Sequence, residues 1–217
     1  MRTTPWMHAQ NGSRDLVVDV NVQRGGTYRV SGTMTYTGFF GLSWRHALAR
    51  YAPTQRTRAL KRYIARGMTG LTVKVVKISG LKRRDGALTI RFRGHGRTTA
   101  SGNGQTGLAL VLARTGLTPG MTRLTTRKTP LANEALVNAR GKLRVTLPPG
   151  WRIARVPPAS HVAHTLAQFR RKVASNPAAH RLEVEHAFHM EIGEVSPQDY
   201  GRWVRAARRI DRLDTLR

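Results

Sequence analysis

The sequence predicts a mainly β protein, a β-sandwich of two packed antiparallel sheets, with a helical insertion near residues 43–67 and a C-terminal amphipathic helix. Three observations carry this. Most long segments alternate apolar and polar residues with period two, which puts every second side chain on one sheet face. Two helix-period segments lie side by side between the second and third strands. A third such segment closes the chain behind a Ser-Pro start signal.

Residues 1–14 are expected to be a disordered leader to a single β-rich domain over 15–217. The first strand shows Leu16, Val18, Val20 and Val22 on one face; after Arg24, Gly25 and Gly26 a second shows Tyr28, Val30, Met34 and Tyr36, and the two read as a hairpin. Ser43 is placed to cap a short helix with Trp44, Leu48 and Tyr51 on its apolar side. After Pro53 a second helix sets Leu60, Tyr63 and Ile64 against Arg56, Arg58, Lys61, Arg62 and Arg66, and Gly67 stops it. Leu71, Val73 and Val75 alternate until the pattern slips at Val76. Arg84-Asp85-Gly86 then turns the chain into Leu88, Ile90 and Phe92, opposite Thr89, Arg91 and Arg93. The Gly, Ser, Thr and Asn stretch over 98–105 reads as a hairpin tip. Leu143, Val145 and Leu147 form a short strand. Residues 162–173 fit either a helix or a strand, and the strand is preferred. The clearest alternation sets Leu182, Val184, Phe188, Met190 and Ile192 against Glu183, Glu185, His189 and Glu191. Ser196 as N-cap and Pro197 at the first helical position precede the stripe Tyr200, Trp203, Val204, Ala207 and Ile210, backed by Arg202, Arg205, Arg208, Arg209 and Arg212.

Charge is the most unusual compositional feature: 38 Lys and Arg face 11 Asp and Glu, a net +27, with Arg far in excess of Lys. Such a field attracts polyanions, nucleic acid or lipopolysaccharide among them. The cations are also spread along the whole chain, as the codon preferences of a GC-rich genome would leave them. The residues best placed to hold phosphates are Lys82, Arg83, Arg84, Arg91 and Arg93 in one group and Arg170, Arg171 and Lys172 in another.

Chemistry of other kinds finds little support. The chain has no Cys, which excludes disulfides, thiolate nucleophiles and Cys-ligated metals. It has no Gly-x-Ser-x-Gly elbow, and Gly94, Gly96, Gly102 and Gly104 meet neither the dinucleotide fingerprint nor the phosphate loop and read as hairpin glycines. His180, Glu183, Glu185, His186 and His189 resemble a metal set in composition, but on a strand His186 points to the apolar face and Glu183, Glu185 and His189 to the other, so they do not converge. His161 and His164 read as surface. No cofactor is implied and no catalytic group is assigned. No apolar run is long enough to span a bilayer, and Met1 to Arg14 lack the apolar stretch of a secretory signal.

The order of features resembles the C-terminal β-rich region of bacterial transglutaminase-like proteins that carry an N-terminal domain of unknown function. Gly38, Gly41, Ala47 and Arg50 look like its glycine-then-helix entry. Arg127, Thr129, Pro130 and Leu131, then Leu147-Pro148-Pro149-Gly150, are similar to its later elements. Pro157 and the segment Val195-Ser196-Pro197-Gln198-Asp199-Tyr200 resemble its closing helix. The resemblance implies an ancillary, non-enzymatic β-sandwich beside an upstream transglutaminase-like domain, in the cell envelope or periplasm where a longer parent supplies a signal. The alternative is a basic domain that binds polyanions non-specifically.

Overall fold

A computed structural model describes residues 12–216 apart from 69, 84, 101–105, 109 and 112–114. Residues 1–11 of the expected leader, Arg84, most of the 98–105 tip, Gly102 and Gly104 therefore lie outside the described residues. Residues 12–14 already belong to the first strand. The elements are β1 (Gly12–Val22), β2 (Thr27–Tyr36), α1 (Gly38–Ala49), α2 (Pro53–Ala65), β3 (Leu71–Ser79), β4 (Leu88–Arg97), β5 (Thr99–Ala100), β6 (Thr106–Gly107), β7 (Leu110–Val111), α3 (Leu117–Met121), β8 (Leu131–Asn133), β9 (Val137–Thr146), β10 (Ser160–Ala163), β11 (Ala167–Asn176), β12 (Arg181–Met190), β13 (Gly193–Val195), α4 (Tyr200–Asp214) and β14 (Thr215–Leu216).

The chain is mainly β, with the helical insertion and the closing helix where the sequence puts them. Its arrangement differs from two packed antiparallel sheets. Eight strands form one mixed sheet in the order β10-β11-β12-β9-β1-β2-β4-β3, with β1 and β9 parallel and every other pair antiparallel. Period-two alternation demands only that one sheet face be covered, and here helices cover it. Leu16, Val18, Val20 and Val22, Tyr28, Val30 and Met34, and Leu88, Ile90 and Phe92 pack with Leu48, Leu60 and Ile64 of α1 and α2 in one core. Ala139, Phe169, Phe188 and Met190 pack with Tyr200, Trp203, Ala207 and Ile210 of α4 in a second. Trp203, Ala207 and Ile210 are fully buried, each large one stabilising by about 1.5–3 kcal/mol. The outer face meets solvent.

Two helix starts move. α1 begins at Gly38 rather than Ser43; its N-cap Thr37 makes no capping bond because its hydroxyl faces Ser13, accepting from the Ser13 N–H at 3.1 Å. α4 begins at Tyr200, since residues 197–199 form a turn in which the Ser196 hydroxyl accepts from the Asp199 N–H at 3.2 Å. The slip at Val76 is a β-bulge between Val73 and Val75. The 162–173 stretch is extended, as β10 and β11. Gly94 and Gly96 stand inside β4, not in a turn. A Cβ at Gly96 would lie 2.4 Å from both the Tyr28 ring and the Gly70 carbonyl, so only glycine lets Tyr28 pass beneath the strand.

Candidate polyanion-binding face

The outer face divides into two electrostatic halves, and strand register shows why. In the β9–β12 half, Lys142 stands opposite Glu185 and Arg144 opposite Glu183. Lys142 bonds Glu183 and also Glu185 at 2.8 Å, and Arg144 reaches Glu183 at 3.4 Å and Asp19 at 3.2 Å. The Lys142 bond holds the Glu183 carboxyl below the usual range, and the two glutamates hold the Lys142 ammonium above its own. Lys142 and Arg144 are thus neutralised from within the sheet.

The cations of the β2–β4–β3 half are not. Arg91 stands directly opposite Lys77, Arg93 is one pair along, and Arg29 faces His95. Arg29, Lys74, Lys77, Arg91, Arg93 and Arg97 are all exposed, and among the described residues none has an acidic partner within ion-pair distance. Like charges directly opposite one another cost a sheet stability. An open concavity of about 1250 Å³ begins on this half and runs across β1 to β9 and β12, bordered by Arg29, Lys74, Arg93, Arg97 and Arg181 and by the ion-paired Arg144 and Asp19. A smaller one of about 340 Å³, beside Lys77, Arg91 and Arg93, continues it. Phe92, Phe169 and Phe188 are buried, so they offer no stacking platform on this face.

The residues singled out from sequence separate under this geometry. Arg91 and Arg93 sit at the centre of the basic half. Lys82 and Arg83 are exposed at the tip of the same β3–β4 hairpin. Arg170 and Lys172 are exposed on β11, five strands away from β4, or about 24 Å at roughly 4.8 Å per strand, and Lys172 pairs in register with Glu185. Arg171 is a correction. It is 5% exposed, on the helix-covered face, and donates from Nε to the Pro158 carbonyl (2.8 Å) and from Nη1 to the Leu213 carbonyl (3.0 Å) at the end of α4. Burial pulls its pKa below that of a free guanidinium. The odd-numbered phase of β11, with Ala167, Phe169 and Val173, already assigned Arg171 to that face. Sequence reasoning passed over Arg29, Lys74, Lys77 and Arg97; the signal was their place on the polar phase of strands whose pairing was not yet known.

Other arginines serve the architecture. Buried Arg45 donates to the carbonyls of Gly80 (2.9 Å) and Gly86 (2.8 Å), tying α1 to the β3–β4 turn. Arg56 donates to the Leu48 carbonyl (2.9 Å) and the Tyr51 carbonyl (3.0 Å) at the end of α1, where a cation also suits the helix dipole.

One buried pair has the look of catalytic machinery. His186 and Asp214 meet at 3.1 Å with side chains 0% and 2% exposed, and Asp214 Oδ2 accepts from the Thr115 N–H at 3.0 Å. Enclosed in this way, the pair ties the end of α4 to β12. Glu183, Glu185 and His189 lie on the opposite face from His186, and among the described residues no group of three or more His, Asp or Glu is placed to hold a metal ion. No helix among the described residues is long and apolar enough to cross a membrane. In comparisons of sequence, no protein-family model and no curated protein matches the chain.

Proposed function

We propose that the chain is a non-catalytic interaction module that holds the phosphate backbone of a nucleic acid, without sequence preference, on the exposed β2–β4–β3 face. The observation that carries this is the row of exposed cations without ion pairs across three paired strands, with Arg91 set against Lys77, beside strands on which Lys142 and Arg144 are held by Glu183, Glu185 and Asp19. A surface that bears like-charge repulsion in one half and avoids it in the other fits an external polyanion supplying the missing charge. Arginine suits phosphate, which it meets with a planar fork of donors. Without aromatic platforms, the contacts are to backbone and not to bases. Lipopolysaccharide would also need apolar surface for acyl chains, and the patch offers little beyond half-exposed Val75.

The test is a salt titration of binding to a random-sequence 20-mer duplex. With four to six phosphates neutralised, log K falls against log salt with a slope of about −4 to −5. The variant Arg29→Gln/Lys77→Gln/Arg91→Gln/Arg93→Gln is expected to lose about three to four units of that slope, while Arg170→Gln/Lys172→Gln keeps it. Equal losses in the two variants, or tight binding to lipopolysaccharide with none to duplex, would reject the reading.

A second reading follows the resemblance, an ancillary domain docked on a transglutaminase-like partner. It is favoured by the closing segment: Tyr200 is buried, and its hydroxyl is within hydrogen-bond distance of the Leu124 (3.1 Å) and Met121 (3.3 Å) carbonyls, fixing the start of α4. It requires co-elution with such a domain that survives high salt.

A further inference from the structure

The helix-covered side of the molecule carries a second cationic surface. α4 buries Tyr200, Trp203, Ala207 and Ile210 against the sheet, which turns Arg205, Arg208, Arg209 and Arg212 outward; all four are exposed. At spacings of three and four residues these arginines are neighbours on the helix surface, where like charges repel. Among the described residues none of the four has a carboxylate within ion-pair distance. Across from them the segment before β10 brings in exposed Arg155, and together they border an open groove of about 1180 Å³ whose floor includes Pro157 and Pro158. The pattern of the sheet face is repeated, with cations gathered at a stability cost in a concavity; the one carboxylate in the lining, Asp211, is taken up by the Thr115 hydroxyl and the N–H groups of Leu117 and Thr118 and pairs with none of the four arginines.

The placement of the two surfaces matters as much as their charge. One lies on the open face of β2–β4–β3; the other lies on the opposite side of the sheet and over its other half, since α4 packs on β9–β12 and contacts β10. A sheet with a helix layer on it is roughly 15 Å thick from the open face to the outer side of the helix, taking a packing distance of about 10 Å and a helix radius of about 5 Å. A stiff duplex lying on either surface does not bend round to reach the other.

Resting on the proposed function above, we infer that the α4 groove, lined by Arg155, Arg205, Arg208, Arg209 and Arg212, is a second phosphate-backbone site, and that one molecule bridges two separate nucleic-acid segments. Bridging uses no new chemistry. Each surface neutralises phosphates as Lys and Arg do elsewhere, and two such surfaces facing apart turn a binding protein into a cross-linker.

The experiment is a sandwich assay with the full chain: one 30-mer duplex on a bead, a second fluorescent duplex in solution, protein added below saturation. The wild type is expected to bring the fluorescent duplex to the bead. The variant Arg205→Gln/Arg208→Gln/Arg209→Gln/Arg212→Gln is expected to bind the immobilised duplex within about tenfold of wild type while losing at least nine-tenths of the sandwich signal. The all-lysine replacement at the same four positions keeps the charge and is expected to keep the signal, which separates loss of charge from damage to α4. Undiminished sandwich formation by the glutamine variant, as a dimer using one sheet face from each copy would give, overturns bridging through α4. A wild type that binds one duplex but never recruits the second overturns bridging and leaves the sheet-face reading standing; a wild type that binds no duplex overturns both.

Discussion

Single residues decide which part of this large positive charge is available to a partner. Arg171 sits between Arg170 and Lys172 in sequence yet does different work, because one step along a strand reverses the face. Replacing it with Met is expected to destabilise the fold by about 1–3 kcal/mol, through loss of its part-buried hydrogen bonds to the carbonyls of Pro158 and Leu213, and to leave the salt slope of duplex binding unchanged. Urea denaturation beside a salt titration checks both; an altered slope with full stability would return Arg171 to the binding surface. Asp211 gives a pH signature. Burial pushes its carboxyl up, but donors from the Thr115 hydroxyl (2.6 Å) and the N–H groups of Thr118 (2.7 Å) and Leu117 (3.0 Å) outweigh it and hold the group below its ordinary value. A carboxyl lowered on folding contributes stability that is present above its unfolded pKa of about 3.9 and is lost as pH falls through the lower folded value. Stability measured between pH 5 and pH 2 is expected to fall less steeply in Asp211→Asn than in the wild type; parallel curves would contradict that assignment.

At the scale of elements, the strands and helices were readable where the alternation was strong and where helices carried broad apolar stripes. The pattern faded where it used small residues. β9 begins at Val137, and its inward positions include Ala139 and Gly141, so only Leu143, Val145 and Leu147 stood out, and Leu147 lies just past the end of the strand at Thr146. The start of α1 was hidden because Thr37 spends its hydroxyl on Ser13, outside the usual capping pattern. Pairing was the largest gap. The β1–β2 hairpin was legible from its Gly-Gly turn, but nothing in the alternation places β9, parallel, on the other side of β1 or sets β2 beside β4, and the bulge in β3 hides the register that opposes Arg91 to Lys77. The opposition makes its own forecast. Lys77→Glu turns a like-charge rung into an opposite-charge one, so it is expected to stabilise the fold by about 0.2–1 kcal/mol while weakening duplex binding. A variant that loses stability, or binds as well as the wild type, would mean that the repulsion is not the cost of a binding surface. Gly96→Ala belongs to the same scale: a methyl group pressed against Tyr28 and the Gly70 carbonyl is expected to cost about 1–3 kcal/mol by thermal or urea unfolding.

For the whole molecule, the sandwich expected from sequence and the helix-backed sheet observed bury the same side chains, since alternation specifies a covered face and is silent on what covers it. The difference bears on function. In a sandwich the outer residues of the strands would be shared between two exposed faces; here one broad sheet leaves a single open face, and its charge can be compared from end to end. The basic half of that face is the central claim, and lysine footprinting tests it directly, because the lysines are few and well spread. The chain would be acetylated briefly with and without a saturating random-sequence duplex, and each lysine followed by mass spectrometry. Lys74 and Lys77 are expected to be protected several-fold by the duplex, while Lys172, at the far end of the same face, reacts as before. Protection of Lys172 with Lys74 and Lys77 left reactive, or equal protection of all three, would contradict a nucleic-acid surface on β2–β4–β3.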